Sequence, residues 1–109
     1  MPYSKALADR VRVVLGPRPG LTEKRMFGGI CFLLNGNMIG GIAGEELMLR
    51  LGPDEAPRAL EEPHTREMDF TGRPMKNFVV IEHDGLAREE DLARWLDRGV
   101  AFAASLPPK

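Results

Sequence analysis

The stretch Arg25–Leu51, RMFGGICFLLNGNMIGGIAGEELMLRL, decides the fold, because it reads as a series of strands folded back on one another by glycine turns. Ile30-Cys31-Phe32-Leu33-Leu34 is apolar at every position, whereas a strand with one face in water alternates apolar and polar residues. It is therefore expected as a strand covered on both faces. Asn35-Gly36 supplies the pair favoured by a two-residue hairpin turn, since both central residues need positive φ and these two reach it at least cost. Met38–Ala43 follows as a strand interrupted by Gly40-Gly41, a pair that signals a bulge or the close approach of another backbone. Gly44-Glu45 reads as the next turn. Leu47, Leu49 and Leu51 then alternate with Met48 and Arg50, so the next strand has one core face and one more open face and is expected at the outside of the meander.

Working outward, Ser4 is placed to cap a helix running to about Leu15, with Leu7, Val11 and Val14 on one face and Gly16-Pro17 stopping it. Leu21–Phe27 reads as a first strand carrying the basic pair Lys24-Arg25. Gly28-Gly29 bends the chain into the apolar strand. A Gly-Gly pair after a strand can let a phosphate approach backbone amides, but no GxGxxG or Walker pattern follows, and the next element is a strand rather than a helix N-terminus, so the turn is the preferred reading. After Leu51, Gly52-Pro53-Asp54 opens a short helix expected to be capped by Asp54, with Pro57 at the third helical position and Pro63 closing it. A short strand is expected near Glu67–Phe70, a turn over Thr71-Gly72-Arg73-Pro74, and an apolar strand at Phe78-Val79-Val80-Ile81, ended by Asp84-Gly85. The last helix, about Arg88–Leu106, begins with Glu89, Glu90 and Asp91, which suit the positive end of the helix dipole. Its buried face is Leu92, Trp95, Leu96, Gly99, Val100, Ala103 and Leu106. Gly99 costs ~1 kcal/mol of helix propensity relative to alanine, which is best explained if the helix backbone lies close to the sheet there. The closing Leu-Pro-Pro-Lys looks loose. The order predicts an α+β fold, a mostly antiparallel sheet with helices packed on it.

A chain of 109 residues is about one domain long, and residues 1–109 are expected as a single domain. With 15 Lys+Arg against 16 Asp+Glu the net charge is −1, so no global basic field draws the chain to nucleic acid or to an acidic membrane. One cysteine excludes an internal disulfide framework and a cysteine-cluster metal site. The opening MPYSKALADR lacks the apolar core of a signal peptide, and no apolar run approaches the ~20 residues that span a bilayer. The expected location is the cytoplasm.

Candidate chemistry is sparse. Cys31 sits inside an apolar strand and is expected to be buried and inert, because a catalytic thiol needs a histidine partner and an open electropositive setting. His64 and His83 have no companions at ligand spacing and read as surface residues. Glu45-Glu46, Glu61-Glu62 and Glu89-Glu90-Asp91 read as turn solvation and helix ends rather than as a hydrolase pair. Met26, Met38, Met48, Met68 and Met75 fit core gap-filling, with an adaptable binding face as the other reading. The feature above background is the set Lys24, Arg25, Arg66, Arg73 and Lys76, with Met75 beside Lys76. If the first strand and the 66–76 segment lie side by side, these residues form one positive partner-binding surface for an acidic protein face or phosphates. The bland alternative is a solvated surface with Glu23, Glu67 and Asp69 as counter-charges.

Four ordered motifs, Glu23-Lys24-Arg25-Met26-Phe27-Gly28-Gly29, Asn35-Gly36-Asn37-Met38, Glu46-Leu47-Met48-Leu49-Arg50 and Met68-Asp69-Phe70-Thr71-Gly72-Arg73-Pro74-Met75-Lys76, together resemble the N-terminal domain of the TfoX/Sxy family. The likeness runs through the closing Trp95 helix and its SLPP end. It implies an α-β(3)-α-β(2)-α layout like that of secretion chaperones, no catalytic residues and no cofactor. Larger members regulate natural competence together with the cyclic-AMP receptor protein and carry a second, C-terminal helical domain; the expectation here is a stand-alone N-terminal domain. The expected function is a non-enzymatic regulatory or protein-interaction domain, with a local nucleic-acid or small-ligand binding module as the alternative. The expected partner is a protein, of the transcription machinery or a regulator, with only weak nucleic-acid binding, no membrane, and a monomer or homodimer.

Overall fold

A computed structural model describes residues 3–26, 28–70 and 73–109. The chain runs α1 (Lys5–Leu15), β1 (Leu21–Met26), β2 (Gly29–Leu34), β3 (Asn37–Ala43), β4 (Glu46–Arg50), α2 (Gly52–Ala59), β5 (Thr65–Phe70), β6 (Arg73–Ile81), a 3-10 turn (His83–Leu86) and α3 (Glu89–Ala104). The fold is α+β, a six-stranded sheet in the order β1-β2-β3-β4-β6-β5 with every neighbouring pair antiparallel. The layout follows the one that the resemblance implies, with four strands rather than three ahead of α2.

The turn between β2 and β3 is as the sequence requires, with φ of 52° at Asn35 and 83° at Gly36. Phe32 pairs with Gly40 and Leu33 with Met38, so Ile39 is the extra residue of a bulge. A side chain at Gly40 would collide with the carbonyl oxygen of Met48 on β4, which is the close backbone approach that the glycine pair signals. β4 is not at the outside of the sheet: it lies between β3 and β6. Its alternating pattern reports one open face, and a face says nothing about which edges are paired. The turn expected over residues 71–74 falls partly on Thr71 and Gly72, which lie outside the described residues, as does Phe27.

The helices share one face of the sheet. α3 lies across β2, β3 and β4, α1 packs on α3, and α2 packs on β6. Ile30, Phe32, Leu34, Ile39, Ile42, Leu47, Leu49, Val79 and Ile81 join Leu7, Val11, Leu15, Leu92, Trp95, Leu96 and Val100 in one core cluster. At Gly99 a Cβ would stand 3.1 Å from Ile39 Cγ2 and 3.3 Å from the Ile39 carbonyl oxygen, so the helix backbone does approach the sheet there. Ser4 caps α1, its Oγ accepting from the Leu7 N–H at 3.1 Å. β2 is buried along most of its length, as its unbroken apolar run predicts: α3 packs on one face, and on the other Cys31 is buried and Leu33 half-buried.

Two local expectations are corrected. α2 starts at Gly52 with Leu51 as its N-cap and no side-chain cap, so Asp54 lies in the first turn and Pro57 is the sixth helical residue. The helix begins early because the Leu51 N–H is already held by the Asn77 carbonyl at 2.9 Å. The helix ends at its C-cap Leu60, three residues before Pro63, and Thr65 Oγ1 shares its one proton between the carbonyl oxygens of Ala59 (3.1 Å) and Glu62 (2.8 Å). The C-terminal tail is tied down, not loose. Buried Asn37 donates from Nδ2 to the Pro107 carbonyl and the Lys109 N–H donates to the Asn35 carbonyl, both at 2.9 Å.

Candidate functional site

The cations singled out in the sequence do not form one patch. Lys24 and Arg25 are neighbours on β1, but strand alternation sends them to opposite faces: Lys24 stands opposite Cys31 on the open face, and Arg25 opposite Ile30 on the helix face. β1 and β5 are the two ends of the sheet order, five strand spacings or roughly 24 Å apart. Arg66, on β5, is engaged by Glu46 and, at 3.7 Å, by Glu82. The backbone of Arg73 opens β6 and its side chain lies outside the described part. Joining the two basic segments required the β5–β6 hairpin to add beside β1, whereas it adds beside β4. Of the predicted counter-charges, Glu23 serves Arg12 of α1, both carboxylate oxygens accepting at 2.9 Å, and those hydrogen bonds hold its pKa below the usual range.

Met75 and Lys76 do share a site. Along the β5–β6 pair Glu67 stands opposite Val79, but Asp69 stands opposite Pro74, a slip that leaves the intervening β6 residues out of the ladder. Beside them lies a groove of about 420 Å³ bounded by Pro53, Pro57 and Leu60 of α2 and its end and by Glu67, Met75, Lys76 and Phe78 of the hairpin. The two prolines are four residues apart and so line the same side of α2. A smaller hollow of about 250 Å³ at the other edge is lined by Tyr3, Arg12, Glu23, Lys24, Arg25 and Ile30.

The larger feature is the face of the sheet that no described helix covers. Across its middle the registers align Lys24, Cys31, Gly41, Met48, Val80 and Arg66 in one row, apolar at the centre and charged at both ends. Met26, Leu33 and Met38 belong to the same face and are half-buried, as is Met48. None of the five internal methionines belongs to the main core cluster; Met68 is buried outside it and Met75 lines the groove. Gap-filling of the main core therefore does not describe Met26, Met38 and Met48, which stand half-buried on the open face. The signal was present in the alternation of Met48 with Leu47 and Leu49, but the all-apolar β2 hid that Cys31 and Leu33 belong to the same surface.

Cys31 is 3% exposed, and burial raises its pKa, which keeps the thiol protonated. His64 and His83 are exposed. Among the described residues no three His, Cys, Asp or Glu side chains gather to hold a metal ion, and no helix is long and apolar enough to cross a membrane. Neither a curated protein nor a solved structure matches the chain. A family model, the TfoX N-terminal domain, matches residues 14–103, from the last turn of α1 to the last turn of α3 and so through the whole sheet. The chain belongs to the TfoX N-terminal domain family.

Proposed function

We propose that this chain is a non-enzymatic regulatory domain that acts by binding a partner protein of the transcription machinery or one of its regulators across the open face of the sheet. The observation that carries the reading is the half-buried Met26, Leu33, Met38 and Met48 around Cys31 and Val80, on a sheet face with no described helix over it. A sheet buries an apolar face against another layer, and the opposite face already does so against α3. The occupant that fits is an amphipathic helix. Its flanks would be acidic toward exposed Lys24 at one rim, and basic toward Glu46 and Glu82, which among the described residues share Arg66 at the other. Thioether side chains adapt to such a surface at little packing cost. Family membership supports the regulatory class.

The test is affinity recovery of partners from the native cell with the wild-type chain, Met48→Glu, and Val13→Glu, a control at an 80%-exposed position on α1. A partner retained by Val13→Glu and lost by Met48→Glu, with thermal melting confirming that both variants fold, is the expected result. Equal recovery by both variants overturns the surface. Sequence-selective duplex DNA binding at physiological salt would replace the protein partner with nucleic acid.

A further inference from the structure

We infer that the groove between α2 and the β5–β6 hairpin is a second docking site, separate from the open sheet face, for an extended peptide segment of another protein with a large apolar side chain between an acidic and a basic residue. The groove is built by the register slip in β6, which lifts Met75, Lys76 and Phe78 out of the β5 ladder and sets them against α2. Bulges of this kind re-aim side chains toward binding sites. Its volume of about 420 Å³ falls within the range of roughly 300–1,000 Å³ usual for sites that enclose a compact group.

The walls select the chemistry. Pro53 and Pro57 stand on one side of α2, and neither offers an N–H; Leu60, Met75 and Phe78 add hydrocarbon, thioether and ring. Prolines hold their shape before anything binds, so the wall loses little freedom on docking. The polar side chains at the rim are Lys76 and Glu67, both exposed, and neither takes part in an ion pair with the described residues. A small apolar carboxylic acid would satisfy Lys76 and leave Glu67 unanswered. A peptide carrying both charges answers both. β5 is also the end strand of the sheet among the described residues, so its outward backbone N–H and C=O groups can receive an added strand whose alternate side chains reach the groove.

Selection of peptides from a random displayed library on the full chain tests this, using wild type, Lys76→Glu, Glu67→Lys and, as the control for the open face, Met48→Glu. Thermal melting of each variant establishes that it is folded. The expected winners carry one large apolar residue with an acid on one side and a base on the other. They should bind Lys76→Glu and Glu67→Lys about tenfold more weakly, bind Met48→Glu as they bind wild type, and a fresh selection on Lys76→Glu should return a base in place of the acid. Winners indifferent to both groove charges, winners lost only by Met48→Glu, or no enrichment at all would overturn the inference. The second of these results would favour the open face instead, so the two surfaces fail separately.

Discussion

Gly99 stands with its backbone against Ile39 and Leu49, and no side chain can be added there without moving one of them. Alanine would gain helix propensity but press on the Ile39 carbonyl, which cannot swing aside as a side chain can. Valine should overpack the contact and lower unfolding free energy by about 1–3 kcal/mol, read from urea titration. An unchanged midpoint would mean that α3 slides freely over the sheet. Cys31 makes the opposite kind of statement. Since its thiol is buried and its pKa raised, a thiol reagent at neutral pH should label it slowly in the native protein and quickly in denaturant. Fast native labelling would show that the open face admits solvent down to the β2 backbone.

Between elements, the tie from α2 and the turn after it to α3 centres on the Glu62 carboxylate, with Glu55 of α2 adding a looser contact to Arg98 at 3.9 Å. Glu62 accepts from Arg94 at 2.9 Å and Arg98 at 2.6 Å, and both guanidinium groups lie over the Trp95 ring, 4.9 and 4.6 Å from its centre. Partial burial pushes the Glu62 pKa up, but the hydrogen bonds and charges of the two arginines together outweigh it and hold it below 4.5. A carboxylate with a depressed pKa in the folded state contributes stability above its unfolded pKa, and that contribution is lost as pH falls through the folded value. Glu62→Gln should therefore be less stable than wild type at pH 7, and the difference should shrink as pH falls below about 4.5. A difference independent of pH would assign the loss to packing rather than to charge. At this scale the sequence was legible where local chemistry decides. Asn35-Gly36 could only turn, and Ser4 could only cap. It was not legible where partners are non-local: alternation in β4 gave its faces but not its neighbour β6, and nothing in EMDFTGRPMKN announces the slip that makes the groove. Pro57 was misplaced because its position depends on where Leu51 is held by Asn77.

For the molecule as a whole, the sheet order separates what the sequence seemed to join. Lys24 and Arg25 stand at one edge and Arg66 at the other, so the predicted cationic surface survives only as Met75 and Lys76 in the groove. A chain of net charge −1 with its cations so divided should bind random duplex DNA weakly, with affinity falling further as salt rises, measured by fluorescence anisotropy. Tight binding at physiological salt would require a converging surface that these positions do not supply. The methionine face was visible only in part, because a strand's own pattern cannot say which side the helices will take. The tail has a different bearing on the whole. The last turn of a helix ordinarily frays, but here the segment after α3 is held at both Asn35 and Asn37, and the β2–β3 turn acts as its anchor. Opening of the α3 C-terminus is thereby coupled to a hairpin far away in sequence. In Asn37→Ala, backbone amides of residues 101–105 should exchange with solvent deuterium faster than in wild type, while those of β6 keep their rates. The segment that follows α3 thus serves as the clasp of the β2–β3 hairpin.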